Sequence, residues 1–158
     1  MIKLALAKII SGGQTGADRG GLEAAIALNI PHGGYCPKGR LAEDGCVPHR
    51  YSLIELSTRD YPTRTLWNIA KSDGTLVFVS SLKAAGPGTR LTIATALKVR
   101  KPCRTIELEQ GLEAAVRRVR GWFRLCRTVK TLNVAGSRES TTPGIEVAVK
   151  DVLVEVLQ

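Results

Sequence analysis

The glycine-rich turn at residues 11–18 constrains this chain more than any other segment, because it joins an apolar run to an amphipathic one. Residues 4–10 are apolar except for Lys8, a length that suits a buried strand and is too short to span a membrane. Apolar residues then recur at helical spacing from Leu22 to Leu28. The pattern predicts a strand, a tight turn and a helix, in that order.

A turn of this kind favours a bound anion. Glycine lets the backbone turn sharply and lets a ligand approach with no side chain in the way. The free N–H groups at the start of the new helix, together with the helix dipole, attract negative charge. The residues predicted to bind a phosphate or similar anion here are Gly12, Gly13, Gln14, Thr15 and Gly16. The alternative is a structural turn in which Thr15 caps the helix and Asp18 completes a capping box.

Neither well-known phosphate loop matches this turn. A P-loop requires Gly-Lys-Ser/Thr, and the dinucleotide fingerprint requires three glycines at a fixed spacing with an acidic residue further on. Gly12, Gly13 and Gly16 approach the second pattern without its spacing. A Walker-type NTPase is therefore disfavoured.

The length and composition are those of a globular protein. The 158 residues suffice for one core, and we predict a single ligand-binding domain over residues 1–158. Apolar residues make up 44% of the chain and charged residues 23%. The start of the chain lacks a signal-peptide arrangement, and no segment reaches membrane length. We therefore expect a cytoplasmic protein with no membrane partner.

The net charge of +9 raises nucleic acid as an alternative partner. Much of the excess comes from basic residues between positions 117 and 130. The same stretch carries Val116, Val119 and Phe123 at helical spacing, so we interpret it as a solvated helix with one buried face. Aromatic residues make up only 4% of the chain, which argues against a base-stacking surface. The positive field would still attract a small phosphorylated ligand.

Apolar strands and amphipathic helices alternate along the chain. The predicted elements are strands near residues 74–80, 102–108 and 131–135, with helices at residues 61–72 and 111–127. A last helix is predicted to begin with Thr142 as its N-cap and Pro143 in its first turn. This alternation predicts an α/β fold, with a parallel sheet covered by helices on both faces.

Three turns are expected to meet at one edge of that sheet. They are residues 11–18, 80–89 and 136–140, and each follows a predicted strand. Ligands of parallel α/β sheets bind beyond the carboxyl ends of the strands. The sequence therefore predicts a binding site where the three turns converge.

Four residues in a loop-rich region are possible zinc ligands, namely His32, Cys36, Cys46 and His49. Their spacing matches no common zinc finger. The chain contains no Cys-x-x-Cys pair, and scattered thiols in a chain of this kind are usually reduced core residues. We interpret the four as loop or core residues, with a zinc site as the alternative.

Five segments together resemble the molybdenum carrier protein family. They are ISGGQTGADR (10–19), PHGGYCPKGRLAEDG (31–45), RTLWN (64–68), SDGTL (72–76) and LNVAGSRES (132–140). The resemblance covers nearly the whole chain, in order. It implies a Rossmann-like three-layer sandwich with a mostly parallel central sheet and helices on both faces, related to the LOG and lysine-decarboxylase-like group.

The resemblance also implies a ligand and partners. The ligand is molybdenum cofactor (molybdopterin), a pterin bearing a phosphate, and otherwise a nucleotide or phosphate. Related folds often pair through helices, so a homodimer or homotetramer is a further expectation, as is a molybdoenzyme partner. The implied function is that of a non-catalytic carrier.

An enzyme related to the LOG phosphoribohydrolases is the main alternative. Those enzymes use a Gly-Gly-x-Gly-Thr-x-x-Glu motif whose glutamate carries the chemistry, and here Thr92 stands at that position. A hydroxyl cannot act as a carboxylate base near neutral pH. Glu139 is a possible substitute in another turn, and a nucleotide-binding sensor is a further alternative.

The remaining candidate ligand contacts lie in other turns. Gly88 and Thr89 are predicted to form a second phosphate-binding wall, although Pro87 removes one N–H donor there. Arg138, with Lys38 or Arg40, is predicted to bind the oxyanion through charge-assisted hydrogen bonds. Asp18 either binds a ribose or pterin N–H or caps its helix. The further candidates are Gly136 and Glu139, then Asp44, Arg64, Asn68 and Asp73.

Overall fold

The computed structural model describes residue 4 and residues 6–158, which form nine strands and five α-helices. The strands are β1 (Lys8–Ile10), β2 (His32–Gly33), β3 (Tyr35–Cys36), β4 (Leu41–Ala42), β5 (Gly45–Cys46), β6 (Ile54–Glu55), β7 (Gly74–Val79), β8 (Cys103–Glu107) and β9 (Thr131–Gly136). The helices are α1 (Ala17–Ala27), α2 (Tyr61–Ala70), α3 (Pro87–Lys98), α4 (Leu112–Leu125) and α5 (Ile145–Leu157).

Five strands form one parallel sheet in the order β2-β1-β9-β7-β8. The α/β fold predicted from the alternating pattern is thereby confirmed, and the architecture is Rossmann-like. The two smaller ladders, β3 with β6 and β4 with β5, lie in the segment between β2 and α2.

The order of the strands is that of a dinucleotide-binding fold with its first unit moved to the end of the chain. If β9 and α5 preceded β1, the strands would be numbered 3-2-1-4-5 across the sheet. β9 therefore occupies the place of the first strand. In that topology the ligand crevice opens where the connections diverge, which here is between β9 and β7.

The central strand β7 shows how the sheet is covered on both faces. All six of its residues are buried, and successive side chains point to opposite faces. Leu76 and Phe78 join the core that includes residues of α1, α4 and α5, whereas Val77 and Val79 pack with Ala85 near α3. Burial on both faces explains the continuous apolar run in this strand.

Two predicted boundaries need correction. The first strand begins at Lys8 rather than residue 4, because the N–H groups of Ala7 and Lys8 both donate to the Lys130 carbonyl, which ends the ladder. Residues 1–3 and 5 lie outside the described part of the chain. The last helix begins at Ile145 rather than at Pro143, because Gly144 is left-handed with φ +87°.

A second, smaller core supports the segment between β2 and α2. Cys36, Ala42, Val47 and Tyr51 pack there against Leu22 of α1. This packing fixes the β4–β5 hairpin over the start of α1. Across the residues that the structure describes, no helix combines the length and apolarity that a membrane crossing requires.

The turn after β1 is in direct contact with the loop after β9. Gly16 has φ +85°, and a Cβ on it would lie 2.4 Å from the Ser137 carbonyl oxygen and 2.6 Å from the Glu139 nitrogen. The Ala17 N–H donates to the same Ser137 carbonyl over 3.0 Å. Only glycine fits this backbone contact.

We expect Gly16→Ala to lower the free energy of unfolding by about 3 kcal/mol or more, because a left-handed backbone and a backbone clash add together. Gly39→Ala is the matched control, since Gly39 has φ +79° with no atom within 4 Å of the added Cβ. It should cost only about 1–2 kcal/mol. Urea denaturation measures the free energy of unfolding of both variants. An equal decrease in the two would show that the backbone contact at Gly16 rearranges without cost.

Candidate functional site

A cavity of about 390 Å³ opens at the carboxyl edge of the sheet, between β9 and β7. Four segments line it: Gly12, Gln14 and Asp18 from the first turn and α1; Tyr61, Arg64, Thr65 and Asn68 from α2; residues 86–89, Leu91 and Thr92 from the start of α3; and residues 133–138 and Thr141. The volume is in the range of small-molecule sites. All three predicted turns contribute to its wall.

An ion pair joins the two helix layers across the cavity. Asp18 of α1 and Arg64 of α2 are paired, with 3.3 Å between Oδ2 and Nη1, and both side chains are largely buried. The guanidinium lies against Gly12, where a Cβ would come within 1.9 Å of Nη1. A side chain at position 12 would therefore force the Arg64 guanidinium out of this position. Burial raises the pKa of Asp18 above its ordinary value, and Arg64 opposes that shift.

A second guanidinium reaches the same cavity. Arg138 follows β9, and its guanidinium carbon lies 5.4 Å from the centre of the Tyr61 ring. The guanidinium carbon of Arg64 is also 5.4 Å from that ring. Both arginines and the tyrosine line the cavity, so two cations converge on one aromatic side chain. Arginine can hold a phosphate through two parallel hydrogen bonds.

The N-terminus of α3 forms another side of the cavity. Gly86 is its N-cap and makes no side-chain cap hydrogen bond, and Pro87 has no N–H. The first intrahelical bond runs from the Arg90 N–H to the Gly86 carbonyl over 3.0 Å. The N–H groups of Gly88 and Thr89 therefore have no acceptor within the helix and favour an anion.

Three of the five residues predicted to bind an anion in the first turn use their N–H groups within the chain. The Gly13 N–H donates to Ser11 Oγ, the Gln14 N–H to Asp18 Oδ2 and the Thr15 N–H to Gln14 Oε1. These side chains fix the shape of the turn. Phosphate binding by these N–H groups stays a prediction, and binding would require them to exchange partners.

Thr15 has a different role from the capping one considered above. Its hydroxyl donates to Glu43 and accepts the Glu139 N–H over 3.3 Å, and the N-cap of α1 is Gly16. The Glu43 carboxylate also accepts the hydroxyl and N–H of Ser140, over 2.6 Å and 3.3 Å. The Glu43 carboxylate on the β4–β5 hairpin thus connects the turn after β1 to the loop after β9.

Asp44 holds the same hairpin to α1. Its two oxygens accept from Arg19 Nη1 and Nη2 over 2.6 Å and 2.8 Å, a bidentate pair with a buried guanidinium. The hydrogen bonds from Arg19 lower the pKa of Asp44, and those from Ser140 and Thr15 lower that of Glu43. Both carboxylates stabilise the hairpin in their ionised forms.

Four other candidates make contacts outside the cavity. Arg40 donates to the carbonyls of Val47, Pro48 and Tyr51, and so organises the loop after the hairpin. The exposed Lys38 does not line the cavity either. The Glu139 carboxylate accepts the N–H groups of Gly144 and Glu146 and so stabilises the start of α5. Asp73 accepts the N–H groups that begin β9.

The two remaining candidates line the cavity in different ways. Gly136 has φ +149°, and a Cβ built on it would lie 1.9 Å from the Phe78 carbonyl oxygen, so glycine lets β9 lie tightly against β7 there. Asn68 uses its whole amide on the backbone of Tyr35, accepting the N–H and donating to the carbonyl over 2.9 Å each. Both position the cavity wall.

The zinc alternative receives no support within the described residues, where no group of three or more His, Cys, Asp or Glu side chains could hold a metal ion. His32 Nε2 accepts the Ser52 N–H over 3.3 Å. Cys36 lies in the smaller core, and burial raises the pKa of its thiol. His32 and Cys36 thus make a loop contact and a core contact, and the interpretation of all four as loop or core residues stays a prediction.

Asn133 and Tyr61 are among the cavity residues that the sequence analysis did not select. Asn133 is a buried polar residue in the otherwise apolar strand β9, and that break in pattern could have identified it. Tyr61 begins α2 and carried no signal of its own. It becomes part of the site only because α2 crosses the carboxyl edge of the sheet near Arg138.

Comparison with known proteins gives two matches. The family described as "Circularly permutated YpsA SLOG family" matches residues 9–157. A crystal structure of "Putative molybdenum carrier protein" from Syntrophus aciditrophicus SB is 44% identical, with a TM-score of 0.90 over 98% of this chain and 96% of that one. No protein of curated function matches.

The Glu43 contacts predict a pH-dependent stability. Because the folded-state pKa of Glu43 lies below its unfolded value of about 4.3, the carboxylate stabilises the fold above that pH. This contribution is lost as the pH falls through the folded-state pKa. We expect Glu43→Gln to lower the free energy of unfolding by about 1 kcal/mol at pH 7, a difference that shrinks towards pH 3.

Denaturant titrations at several pH values measure this difference. Glu113→Gln is the control, because the Glu113 side chain is 94% exposed and lies 4.0 Å from Arg117. The control should match the wild type throughout. A Glu43→Gln difference that does not change with pH would contradict the role of the charge.

Proposed function

The chain belongs to the circularly permutated YpsA SLOG family, and on that premise we propose that it binds a small phosphorylated heterocycle without transforming it. The ligand proposed first is molybdenum cofactor. The binding site is the cavity between β9 and β7, at the carboxyl edge of the sheet.

The observation that carries this proposal is the convergence of positive groups on the cavity. Arg64 and Arg138 approach it from α2 and from the loop after β9, and α3 directs the N–H groups of Gly88 and Thr89 to it. A phosphate would accept from these N–H groups and from Arg138. The net charge of +9 would accelerate the approach of such a ligand.

The cavity also suits the ring of a phosphorylated heterocycle. Tyr61 offers an aromatic surface, and Asp18 offers a carboxylate to ring N–H groups. A pterin has both a flat ring and N–H donors. The name of the 44% identical relative, a molybdenum carrier, directs the proposal towards molybdenum cofactor.

A carrier is favoured over an enzyme by the positions of the carboxylates. Thr92 donates its hydroxyl to the Gly88 carbonyl over 3.1 Å, and Glu139 is held at the start of α5. Among the described residues that line the cavity, Asp18 alone carries a carboxylate, and it is paired with Arg64. Hydrolysis by the route of LOG enzymes therefore lacks its acidic residue.

Binding of a nucleotide is the second candidate, as in a sensor or a nucleoside-monophosphate-processing enzyme. It is favoured by the topology, because β9 takes the place of the strand that precedes the phosphate-binding turn in dinucleotide folds. The family also points to a small nucleotide-like ligand. Both candidate ligands would bind in the same cavity.

Self-association through helices remains part of the proposal. Leu66 and Trp67 of α2 and Leu97 of α3 are exposed apolar side chains, and such residues are typical of surfaces that pair. A homodimer or homotetramer would cover them. Transfer of the ligand to a molybdoenzyme partner completes the proposed carrier role.

Anaerobic titration with molybdenum cofactor tests the function directly, with AMP as a parallel ligand and its products monitored. Tight binding of the cofactor without cleavage of AMP would support the carrier. Cleavage of AMP, or AMP binding that excludes the cofactor, would favour the nucleotide candidate instead.

We expect Gly88→Leu to lower the affinity for phosphorylated ligands at least about tenfold, because the side chain would occupy the anion site at the start of α3. Nothing lies within 4 Å of a Cβ built on Gly88, so the fold should persist. Gly121→Leu is the control, since Gly121 has equally open surroundings in α4, away from the cavity. Equal affinities by calorimetry would contradict the anion site.

We expect Arg138→Gln to lower the affinity for the same ligands about tenfold, because a charge-assisted hydrogen bond is lost. Arg117→Gln removes the same charge from the exposed face of α4 and serves as the control. If both variants weaken binding equally, the effect belongs to the overall charge and not to a contact in the cavity.

A further inference from the structure

The amide of Gln14 has one fixed orientation. Its Oε1 accepts the Thr15 N–H over 3.1 Å and the Glu43 N–H over 2.9 Å. Both partners are donors, so exchanging the oxygen and nitrogen of the amide would place donors against donors. The free end of the side chain is therefore Nε2, which carries two hydrogens.

Nε2 of Gln14 is a buried donor without an acceptor among the described residues. Gln14 is only 5% exposed and lines the cavity. The Nε atom of Arg64, which lines the same cavity, is buried without an acceptor as well. Buried donors in proteins are almost always paired, so each of these two groups indicates a missing acceptor oxygen.

That acceptor is better supplied by a ring carbonyl than by the phosphate. Asp18 lies beside Arg64, and its carboxylate would repel a phosphate placed next to it. The N–H groups at the start of α3 offer the phosphate donors that are not paired with a carboxylate, and Arg138, whose Nη1 lies 3.9 Å from Glu43 Oε2, also lines the cavity. The end of the cavity at Asp18 is left for the ring.

The polar groups at this end are complementary to one kind of ring edge. Asp18 presents an acceptor, and both its hydrogen bonds from Gln14 and Arg64 fall on Oδ2. Gln14 and Arg64 present donors. A lactam, which is a ring carbonyl beside a ring N–H, can satisfy both kinds of group at once.

We propose that Gln14, Asp18 and Arg64 select a heterocycle with a lactam edge, as in pterins and 6-oxopurines, over adenine. The carbonyl oxygen accepts from Gln14 Nε2 and Arg64, and the ring N–H donates to the Asp18 carboxylate. Adenine carries an amino group where the lactam has its carbonyl, so its hydrogens would face the two donors. This inference rests on the proposed function, since it assigns the ring of the ligand that the same cavity binds.

Nucleotides that differ only in the base test the inference. Calorimetric titration of the full chain with GMP, IMP and AMP keeps the ribose phosphate constant. We expect GMP and IMP to bind at least about tenfold more tightly than AMP, because a site built for a hydrogen-bonding group rejects an analogue that lacks it. A parallel titration with 6-hydroxymethylpterin, followed by its own fluorescence, distinguishes a pterin from a purine as the source of the lactam.

Two isosteric variants identify the residues responsible. Asp18→Asn keeps an oxygen for the Gln14 N–H and removes the second acceptor, and Gln14→Glu keeps Oε1 and replaces the free donor. Each should lose the preference for GMP over AMP. Glu155→Gln is the control, because Glu155 also pairs with an arginine, Arg120, but lies outside the cavity and outside the hairpin that orients Gln14. It should retain the preference.

The outcomes separate this inference from the proposed function. AMP binding as tightly as GMP, or a preference unchanged in both cavity variants, would overturn the lactam assignment and leave the phosphate site intact. Pterin binding without nucleotide binding would support the lactam and assign it to a pterin. If no nucleotide, pterin or inorganic phosphate binds, the proposed function fails, and this inference fails with it.

Discussion

The ion pair between Asp18 and Arg64 connects the two helix layers at the carboxyl edge of the sheet. Asp18 belongs to the helix layer of α1, α4 and α5, and Arg64 to the layer of α2 and α3, so the pair spans the sheet edge. A buried carboxylate needs a partner, because the cost of desolvating an isolated charge is high. Gly12 leaves room for the guanidinium, and the Gln14 N–H donates to the same Asp18 oxygen, Oδ2. The shape of the turn after β1 and the position of the cavity wall both depend on this pair.

The cavity is divided electrostatically into two ends. Asp18 makes one end unfavourable for a phosphate, whereas α3 and Arg138 make the other end favourable. The β4–β5 hairpin stabilises this division from outside, because Glu43 and Asp44 connect it to the loop after β9 and to α1. Glu43 and Asp44 therefore act as structural groups, whereas Asp18 is the carboxylate that lines the cavity.

Much of the fold could be predicted, and less of the site. Four elements lie within a few residues of their predicted positions, namely β7, β8, α4 and β9. Their pattern of apolar residues follows from which side chains are buried, and that pattern is visible in the sequence. Leu66 and Trp67 are exposed, and only Asn68 and Ile69 of α2 are buried, so the apolar residues of this helix do not by themselves identify its buried face. Arg40 and Lys38 were predicted as ligand contacts from charge alone. The charge of a loop residue does not determine whether its side chain binds a ligand, a backbone carbonyl or solvent. Arg40 donates to carbonyls of its own loop.

The sequence by itself determined the alternation of strands and helices, the need for glycine in the turns and the family, since these depend on neighbours in the chain. Only the tertiary structure decided that β9 lies between β1 and β7, because strand order depends on pairing between residues far apart in sequence. The same is true of Tyr61, Arg64 and Arg138, which come from distant segments to one cavity. It is also true of the free amide of Gln14, whose orientation is set by Glu43 across 29 residues of chain. A local pattern specifies which groups a turn can offer, and packing decides which of them are left for a ligand.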